Sequence, residues 1–186
     1  MKRLFVAIPV SDEIKLAIKP IAEGLADTGA DLRLVPLENI HFTMKFLGDV
    51  DEKKIPEIED RLRKIAKSTP KFAIKVKNAG VFPSLEKINV VWLGVEDSSL
   101  VSLMKKINQE LNYIKPQDHK EEIAHLTIAR IKSGKNKAIL QKLLKSIEKK
   151  EFGEMEADKI ILYESELLPE GSVHKVVKEF RLGDGV

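Results

Sequence analysis

The sequence predicts an α+β protein of two pseudo-symmetric lobes, each an antiparallel-rich β-sheet with helices on its outer face. Two observations predict this class. The order strand, helix, strand occurs at residues 4–47 and again at 90–130, and the second strand of each unit carries the pattern His, apolar, Thr, apolar. Segments of period-two hydrophobicity also alternate with segments of helical period. Because no linker or low-complexity tract divides the halves, residues 1–186 are predicted to form one domain with a cleft between its lobes.

The first half opens with an apolar strand at residues 4–9, followed by a helix whose apolar positions recur at helical spacing. Ser11 is the predicted N-cap of that helix, since the acidic residues that follow it favour the helix dipole. A short strand at 32–35 and a turn lead into the first His-x-Thr strand, predicted at 40–47. Asp51 is predicted to cap the next helix.

The second half repeats this order after one additional strand. That strand begins at residue 72, and the Gly and Pro at 79–83 predict that it breaks there. Residues 88–95 form a nearly continuous apolar run, which is typical of a buried strand. A helix capped at Asp97 or Ser98 follows, and the second His-x-Thr strand is predicted at 122–131.

The C-terminal part of the chain is predicted to contain one helix and two strands. The helix follows Ser133-Gly134, and its lysine-rich run at 141–150 indicates a solvated helix face. The strands are predicted near 157–166 and 173–182, joined by a hairpin connection.

The two His-x-Thr motifs, at 41–43 and 125–127, are 84 residues apart. With four histidines and four threonines in the chain, random placement predicts about 0.1 such pairs, so two is an excess. Successive side chains of a strand point to opposite faces, so in each motif the imidazole and the hydroxyl share one face. If the lobes meet about a pseudo-twofold axis, both imidazoles flank one cleft. One neutral and one protonated imidazole there supply a general base and a general acid.

The residues around both motifs resemble a known family. HFTMKFLG at 41–48 and HLTIAR at 125–130 are similar to the two H-x-T-x motifs of the 2H phosphoesterases, especially the branch called RNA 2′,3′-cyclic phosphodiesterase or 2′-5′ RNA ligase. The resemblance extends to RLFVAIPV at 3–10, VFPSLEKINVVWLGV at 81–95 and ILYESELLPEG at 161–171, and so covers nearly the whole chain. It implies an enzyme that hydrolyses a terminal 2′,3′-cyclic phosphate to a 2′-phosphate.

His41 and His125 are the candidate catalytic residues. The resemblance implies that His41 is the acid towards the leaving oxygen and that His125 is the base. Thr43 and Thr127 are candidates to donate to phosphate oxygens or to orient the imidazoles, although threonine also suits strands in general. Each motif has one imidazole and no carboxylate cluster beside it, so no metal and no other cofactor is expected.

Arg130 and Phe46 are further candidates for substrate binding, and each lies five residues after its motif histidine. The resemblance implies that Arg130 contacts the phosphate and that Phe46 lines the cleft, where its face suits a stacked base. Strict strand alternation turns both side chains away from the imidazoles. Either a bulge or a strand end therefore re-aims them, or they lie outside the site, with core packing an equal alternative for Phe46.

Three other polar residues have weaker claims. Lys45 is predicted on the face of His41, where it either adds positive potential or is a solvated strand lysine. His174 stands where the resembled branch often has Tyr beside the substrate, so it either replaces that Tyr or lies at the surface. His119, in a polar loop, needs no functional role.

Composition narrows the class of protein. Hydrophobic residues are 43% and charged residues 33%, as in globular chains, and there is no cysteine for disulfides or thiolate metal sites. No apolar run approaches the ~20 residues of a membrane span, and the N-terminus resembles a strand rather than a signal peptide, so a cytoplasmic protein is expected. The net charge of +3 fits a small anionic site better than a surface that coats long nucleic acid.

The expected partners are RNA ends, tRNA among them, or small cyclic nucleotides, with no membrane, and the chain is expected to be a monomer. One alternative keeps the site and changes the reaction to 2′-5′ RNA ligation. A second is a nucleotide-binding module without turnover, and a third is an α+β protein with two incidental histidines. The matched histidines argue against the last two, since binding alone does not require an acid and a base.

Overall fold

The computed structural model describes residues 1–115, 123–168 and 171–183. Within these residues the chain forms nine strands and four α-helices. The strands are β1 (Lys2–Pro9), β2 (Leu32–Leu34), β3 (His41–Val50), β4 (Phe72–Pro83), β5 (Ile88–Val95), β6 (His125–Ile131), β7 (Glu151–Ala157), β8 (Lys159–Leu168) and β9 (Gly171–Arg181). The helices are α1 (Asp12–Asp27), α2 (Ile55–Lys67), α3 (Ser98–Glu110) and α4 (Lys137–Ile147).

All nine strands belong to one sheet, in the order β7-β4-β5-β6-β3-β1-β8-β9, with β2 added to β6. The strand pairs are antiparallel. The two His-x-Thr strands, β3 and β6, are neighbours at the centre, where Phe42 pairs with Leu126. The predicted α+β fold of two pseudo-symmetric lobes is confirmed, and this central pair joins the sheets of the two lobes.

Each half of the sequence contributes helices and strands to both lobes. α1 packs against β7 and α4, whereas α3 packs against β3 and α2. The last two strands, β8 and β9, return to the first lobe. There β8 pairs with β1, and α2 packs against β8 and β9. β4, which follows the first His-x-Thr unit, pairs with β5 in the second lobe. Each lobe therefore contains segments from both halves of the chain.

The helices cover one face of the sheet. The apolar stripe of α1, predicted from its spacing, is buried at Ile14, Ile18, Ile21 and Leu25. Its predicted cap is confirmed, since Ser11 Oγ accepts a hydrogen bond from the Ile14 amide. In the His-x-Thr strands the alternate apolar residues, Phe42 and Leu126 among them, are buried, while the histidines are only partly covered. The opposite face of the sheet is therefore open at the centre of the molecule.

The prediction that the strand after residue 72 breaks at 79–83 was wrong. β4 continues to Pro83, because a bulge with Asn78 at φ 65° absorbs the irregularity and the strand then pairs with β5. Gly80 serves close packing, since a Cβ at this position would lie 2.2 Å from Cζ2 of Trp92. The indole ring occupies the space that a larger residue would fill.

The sequence patterns also missed one element. β7 lies at the edge of the sheet, and its glutamates face solvent around only a few buried side chains, so its apolar signal is weak. The predicted role of Asp51 is displaced by one turn, because its carboxylate caps a short 3₁₀ segment that precedes α2. Among the described residues, no helix combines the length and the apolar character needed to cross a membrane.

Candidate active site

A cleft of about 770 Å³ opens above the junction of β3 and β6. It is lined by residues of both lobes and of β2. All six residues that the sequence proposed for the site are among those that line it: His41, Thr43, Phe46, His125, Thr127 and Arg130. The fold therefore brings two motifs that are distant in sequence to one cleft.

The two motif histidines are held in the same way. Nδ1 of His41 donates to the backbone carbonyl of Asn39 at 2.7 Å, and Nδ1 of His125 donates to that of Ile123 at 2.6 Å. Because a carbonyl oxygen only accepts hydrogen bonds, each Nδ1 must carry a proton. In the neutral ring, Nε2 is then the atom that can accept a proton from a ligand.

Burial lowers the pKa of both candidate histidines. It brings the pKa of His41 down to about 4, although the hydrogen bond to Asn39 opposes the shift. Burial also lowers the pKa of His125, and the positive charge of Arg130 adds to this effect. Both imidazoles are therefore neutral near pH 7 in the free protein. A bound phosphate would favour the charged form of either ring, since an anion nearby raises the pKa of a histidine.

A β-bulge in each motif strand turns the fifth residue after the histidine toward the cleft. The pairing of β3 with β1 skips Met44, and the pairing of β6 with β5 skips Ile128. Both skipped residues lie three positions after the motif histidine. One extra residue reverses the alternation of side chains, so Phe46 and Arg130 face the cleft together with the imidazoles. Of the alternatives left open by the sequence, the bulge is the one observed.

The prediction that Lys45 shares the face of His41 was wrong. The same bulge turns Lys45 into the core, where it is 1% exposed and its Nζ donates to Oδ1 of Asn108 at 3.0 Å. Asn108, on α3, also donates from Nδ2 to the carbonyl of Met44 at 2.9 Å. A helix side chain therefore binds the bulged residue itself.

Aromatic rings pack around His41. The ring centroids of His41, Tyr163 and His174 lie 4.9, 5.1 and 4.8 Å from that of Phe5, which is buried at the base of the cleft. His174 is half-buried, lines the cleft and stands edge-on to His41 at a centroid distance of 5.3 Å. The structure therefore places His174 beside the candidate catalytic ring. The role of Phe5 was missed, since one aromatic residue in an apolar strand resembles ordinary core.

His125 has a different set of neighbours. The ring of Phe82 stands edge-on to it at 5.1 Å, and that of Trp92 lies at 6.4 Å. Neither of these two rings titrates. Trp92, on the neighbouring strand β5, thus contacts a candidate catalytic ring.

Three further cations line the cleft, namely Arg3, Arg33 and Lys115. Glu38 is the one carboxylate among the described residues of the lining. With Arg130, this gives the cleft a positive potential that suits an anionic ligand. His119 lies outside the described residues.

A family model described as LigT-like phosphoesterase matches this chain twice, at residues 8–92 and 93–174. Each match contains one His-x-Thr motif. A relative from Methanocaldococcus jannaschii named RNA 2′,3′-cyclic phosphodiesterase is 38% identical over 178 residues, which are 96% of this chain and 99% of the relative. A protein of the same name from Aquifex aeolicus is 40% identical over 176 residues, covering 90% of this chain and 92% of the relative.

Solved structures share the fold. A protein from Thermus thermophilus superimposes with a TM-score of 0.81 at 21% identity, over 97% of this chain and 98% of that protein. Escherichia coli LigT, crystallised with 3′-AMP, gives a TM-score of 0.76 at 22% identity, over 97% of this chain and 98% of LigT. Together with the doubled family match and the near-full-length relatives, the paired motifs place this chain in the LigT-like phosphoesterase family of the 2H phosphoesterases.

Proposed function

We propose that this chain hydrolyses 2′,3′-cyclic phosphates at RNA ends and leaves a 2′-phosphate and a free 3′-hydroxyl. The observation that carries the proposal is the pair of imidazoles that line one cleft, each with Nδ1 on a backbone carbonyl and Nε2 left for proton exchange. Relatives that match nearly the whole chain bear the corresponding name. A site that only binds nucleotides does not need this matched pair.

In the proposed reaction, water attacks phosphorus and the bond between phosphorus and the 3′ oxygen breaks. A neutral imidazole takes a proton from the water through Nε2. A protonated imidazole donates its Nε2 proton to the departing 3′ oxygen. The base gains one proton and the acid loses one. Proton exchange with solvent then returns each ring to its starting state. No step requires a metal.

The resemblance assigns the acid to His41 and the base to His125. Because burial holds the pKa of His41 at about 4, this assignment requires the negative charge of the bound phosphate to raise it. Thr43, Thr127 and Arg130 would donate hydrogen bonds to the phosphoryl oxygens as charge shifts between them. A guanidinium suits this task because it donates two parallel hydrogen bonds.

The substrate is proposed to be an RNA end, with tRNA among the candidates, bound to a monomer in the cytoplasm. Escherichia coli LigT, which shares this fold, has been crystallised with 3′-AMP, with ATP and with NADP⁺. These ligands support a nucleotide in the corresponding cleft. Phe46 offers an exposed ring face on which the terminal base can stack.

The alternative reaction is 2′-5′ ligation, in which the 5′-hydroxyl of a second RNA attacks the cyclic phosphate in place of water. The same acid and base serve both reactions. Incubation with a second RNA that carries a 5′-hydroxyl distinguishes them, since ligation produces a longer RNA with a 2′-5′ bond.

The deciding experiment is hydrolysis of a short RNA that ends in a 2′,3′-cyclic phosphate, with EDTA present. We expect the wild type to produce a 2′-phosphate, and His41→Ala and His125→Ala each to lose about 10²–10⁴-fold in rate. Gln109→Ala, at an exposed position on α3, is the control and should retain full activity. Loss of wild-type activity in EDTA would refute the metal-free mechanism. Binding of the RNA without turnover would favour the binding module.

A further inference from the structure

A second cleft, of about 250 Å³, lies at the end of β6, between the turn that joins β4 to β5 and the start of α4. The described residues that line it include four lysines, Lys87, Lys132, Lys135 and Lys137. Glu86 is the carboxylate among them. This cleft is called the lysine cleft below.

The lysine cleft adjoins the active-site cleft along one strand. Arg130 lines the active-site cleft, and Lys132, two residues further along the chain, lines the lysine cleft. At the rise of a strand, their Cα atoms are about 7 Å apart. The Lys132 amide donates to the carbonyl of Asp31 at 2.8 Å, so the junction is held against the segment that leads into β2. The backbone therefore holds Arg130 and Lys132 two residues apart at the end of β6.

The charge of the lysine cleft is not cancelled by the ion pairs found in the described part of the chain. None of those pairs includes Lys87, Lys132 or Lys135. Lys137 donates to the backbone carbonyl of Glu86, and its charge also lies near the Glu86 carboxylate. The lysine cleft thus carries three exposed ammonium groups, one of which, on Lys132, lies two residues after Arg130.

The two ends of the active-site cleft differ in chemistry. The position that carries Arg130 in β6 is taken by Phe46 in β3, because the two bulges are equivalent. An aromatic face suits a base, and a row of cations suits the phosphates of a strand. With its cyclic phosphate on Arg130, as proposed above, and its base toward Phe46, a nucleotide would direct its 5′ phosphate toward Lys132.

We propose that the lysine cleft binds backbone phosphates of the RNA strand upstream of the terminal cyclic phosphate. This inference rests on the proposed function and specifies its substrate as an oligonucleotide. A cyclic mononucleotide fills only the active-site cleft and makes no contact with Lys87, Lys132 or Lys135. The preference for a longer RNA is therefore electrostatic and falls as salt rises.

The test compares two substrates and two triple variants. The substrates are adenosine 2′,3′-cyclic phosphate and an RNA hexamer that ends in a 2′,3′-cyclic phosphate. The test variant is K87Q/K132Q/K135Q. The control, K64Q/K67Q/K105Q, removes the same charge from exposed positions on α2 and α3, on the helix-covered face. The value of kcat/KM is measured for each protein between 50 and 200 mM salt, a range of about fourfold.

For the test variant, we expect kcat/KM on the hexamer to fall about 10-fold or more at low salt, with the mononucleotide unchanged. The slope of log(kcat/KM) on the hexamer against log of the salt concentration should become shallower by about 2. Each lysine–phosphate contact on a single strand contributes about 0.7 to this slope, and three lysines are replaced. The control should match the wild type on both substrates. Equal losses on both substrates, or equal losses in both variants, would overturn the proposal.

A separate binding measurement keeps this inference distinct from the proposed function. If the wild type cleaves neither substrate, the proposed function fails, and fluorescence anisotropy with a labelled hexamer ending in a 2′-phosphate decides the inference alone. The lysine cleft is supported if K87Q/K132Q/K135Q weakens binding and the control does not. It is refuted if both variants bind as the wild type does.

Discussion

His41 and His125 share one anchoring geometry but differ in the residues that surround them. His41 packs among Phe5, Tyr163 and His174, whereas His125 contacts two rings that do not titrate. His41 therefore has an imidazole neighbour, and burial lowers its pKa to about 4. The bound phosphate therefore has to raise the pKa of His41 before this ring can act as the acid.

The pH dependence of kcat/KM should reflect the pKa values of the free protein. Because burial lowers both histidine pKa values from 6.5, we expect a bell-shaped profile whose maximum lies below pH 6.5. The acid limb should lie near pH 4, the lowered pKa of His41, because a pair of histidines carries its single proton only above the lower of its two pKa values. The kcat profile should lie at higher pH, since the bound phosphate anion raises both pKa values. A flat kcat/KM profile from about pH 4 to 9, with chemistry rate-limiting, would contradict the mechanism.

His174→Phe should move the acid limb of the kcat/KM profile to higher pH. A positive charge on His174 opposes protonation of His41, so removing it raises the pKa of His41, while Phe preserves a ring against Phe5. Two other titratable groups near His41 in the described part of the chain are His125, across the cleft, and Tyr163, on β8. Tyr163→Phe is the matched control and should leave the limb in place. An unshifted limb in His174→Phe would show that the two imidazoles titrate independently.

The strands β3 and β6 show which features of an element the local sequence pattern predicts and which it does not. Their existence and their apolar faces follow from period-two hydrophobicity, and both were predicted. The bulges at Met44 and Ile128 were left as one of several alternatives, because nothing in the local sequence marks them. In β3 the bulge is held by Asn108, which is 64 residues away from Met44 along the chain. Contacts of this kind have no signature in local periodicity.

Asn108→Ala should lower the free energy of unfolding by about 2 kcal/mol or more. The substitution removes a buried acceptor for Lys45 and a donor to the Met44 carbonyl. Urea unfolding of this variant is compared with that of Gln109→Ala, an exposed change at the next helix position, which should stay within about 0.5 kcal/mol of the wild type. Equal stability of the two variants would show that the Asn108 hydrogen bonds do not hold the bulge.

At the level of the whole molecule, the two halves of the chain are interleaved rather than adjacent. α1 packs on the second lobe, α3 packs on the first, and β8 and β9 return to extend the first lobe. The central β3–β6 pair also makes the sheet continuous. Neither lobe can therefore be completed by one half of the sequence alone.

This interleaving predicts a single cooperative unfolding transition for residues 1–186, as for one domain. The chain has one tryptophan, Trp92, in β5 of the second lobe, so its fluorescence follows that lobe. Far-ultraviolet circular dichroism follows both lobes. We expect the two signals to give the same midpoint in urea. Separate midpoints would indicate lobes that unfold independently and would argue for two domains.

Local patterns were sufficient for the fold class, for most helices and strands, and for singling out the two His-x-Thr motifs. Those features depend on residue type and on spacing along one element. Local patterns did not predict that β4 continues past Gly80, because a glycine in a strand suggests a break and its packing against Trp92 is not visible in the sequence. They also missed β7, because a glutamate-rich edge strand carries little apolar signal.

The sequence thus indicated the chemistry available to this protein from residue types alone: two imidazoles and two hydroxyls in a repeated pattern, with a guanidinium after the second motif. The tertiary structure alone decided which side chains share the cleft, which imidazole is more deeply buried, and that Lys45 lies in the core while His174 faces His41. The physical reason is that facing, burial and pKa depend on contacts between segments far apart in the chain. Asn108 on Met44, and β9 against His41, are two such contacts.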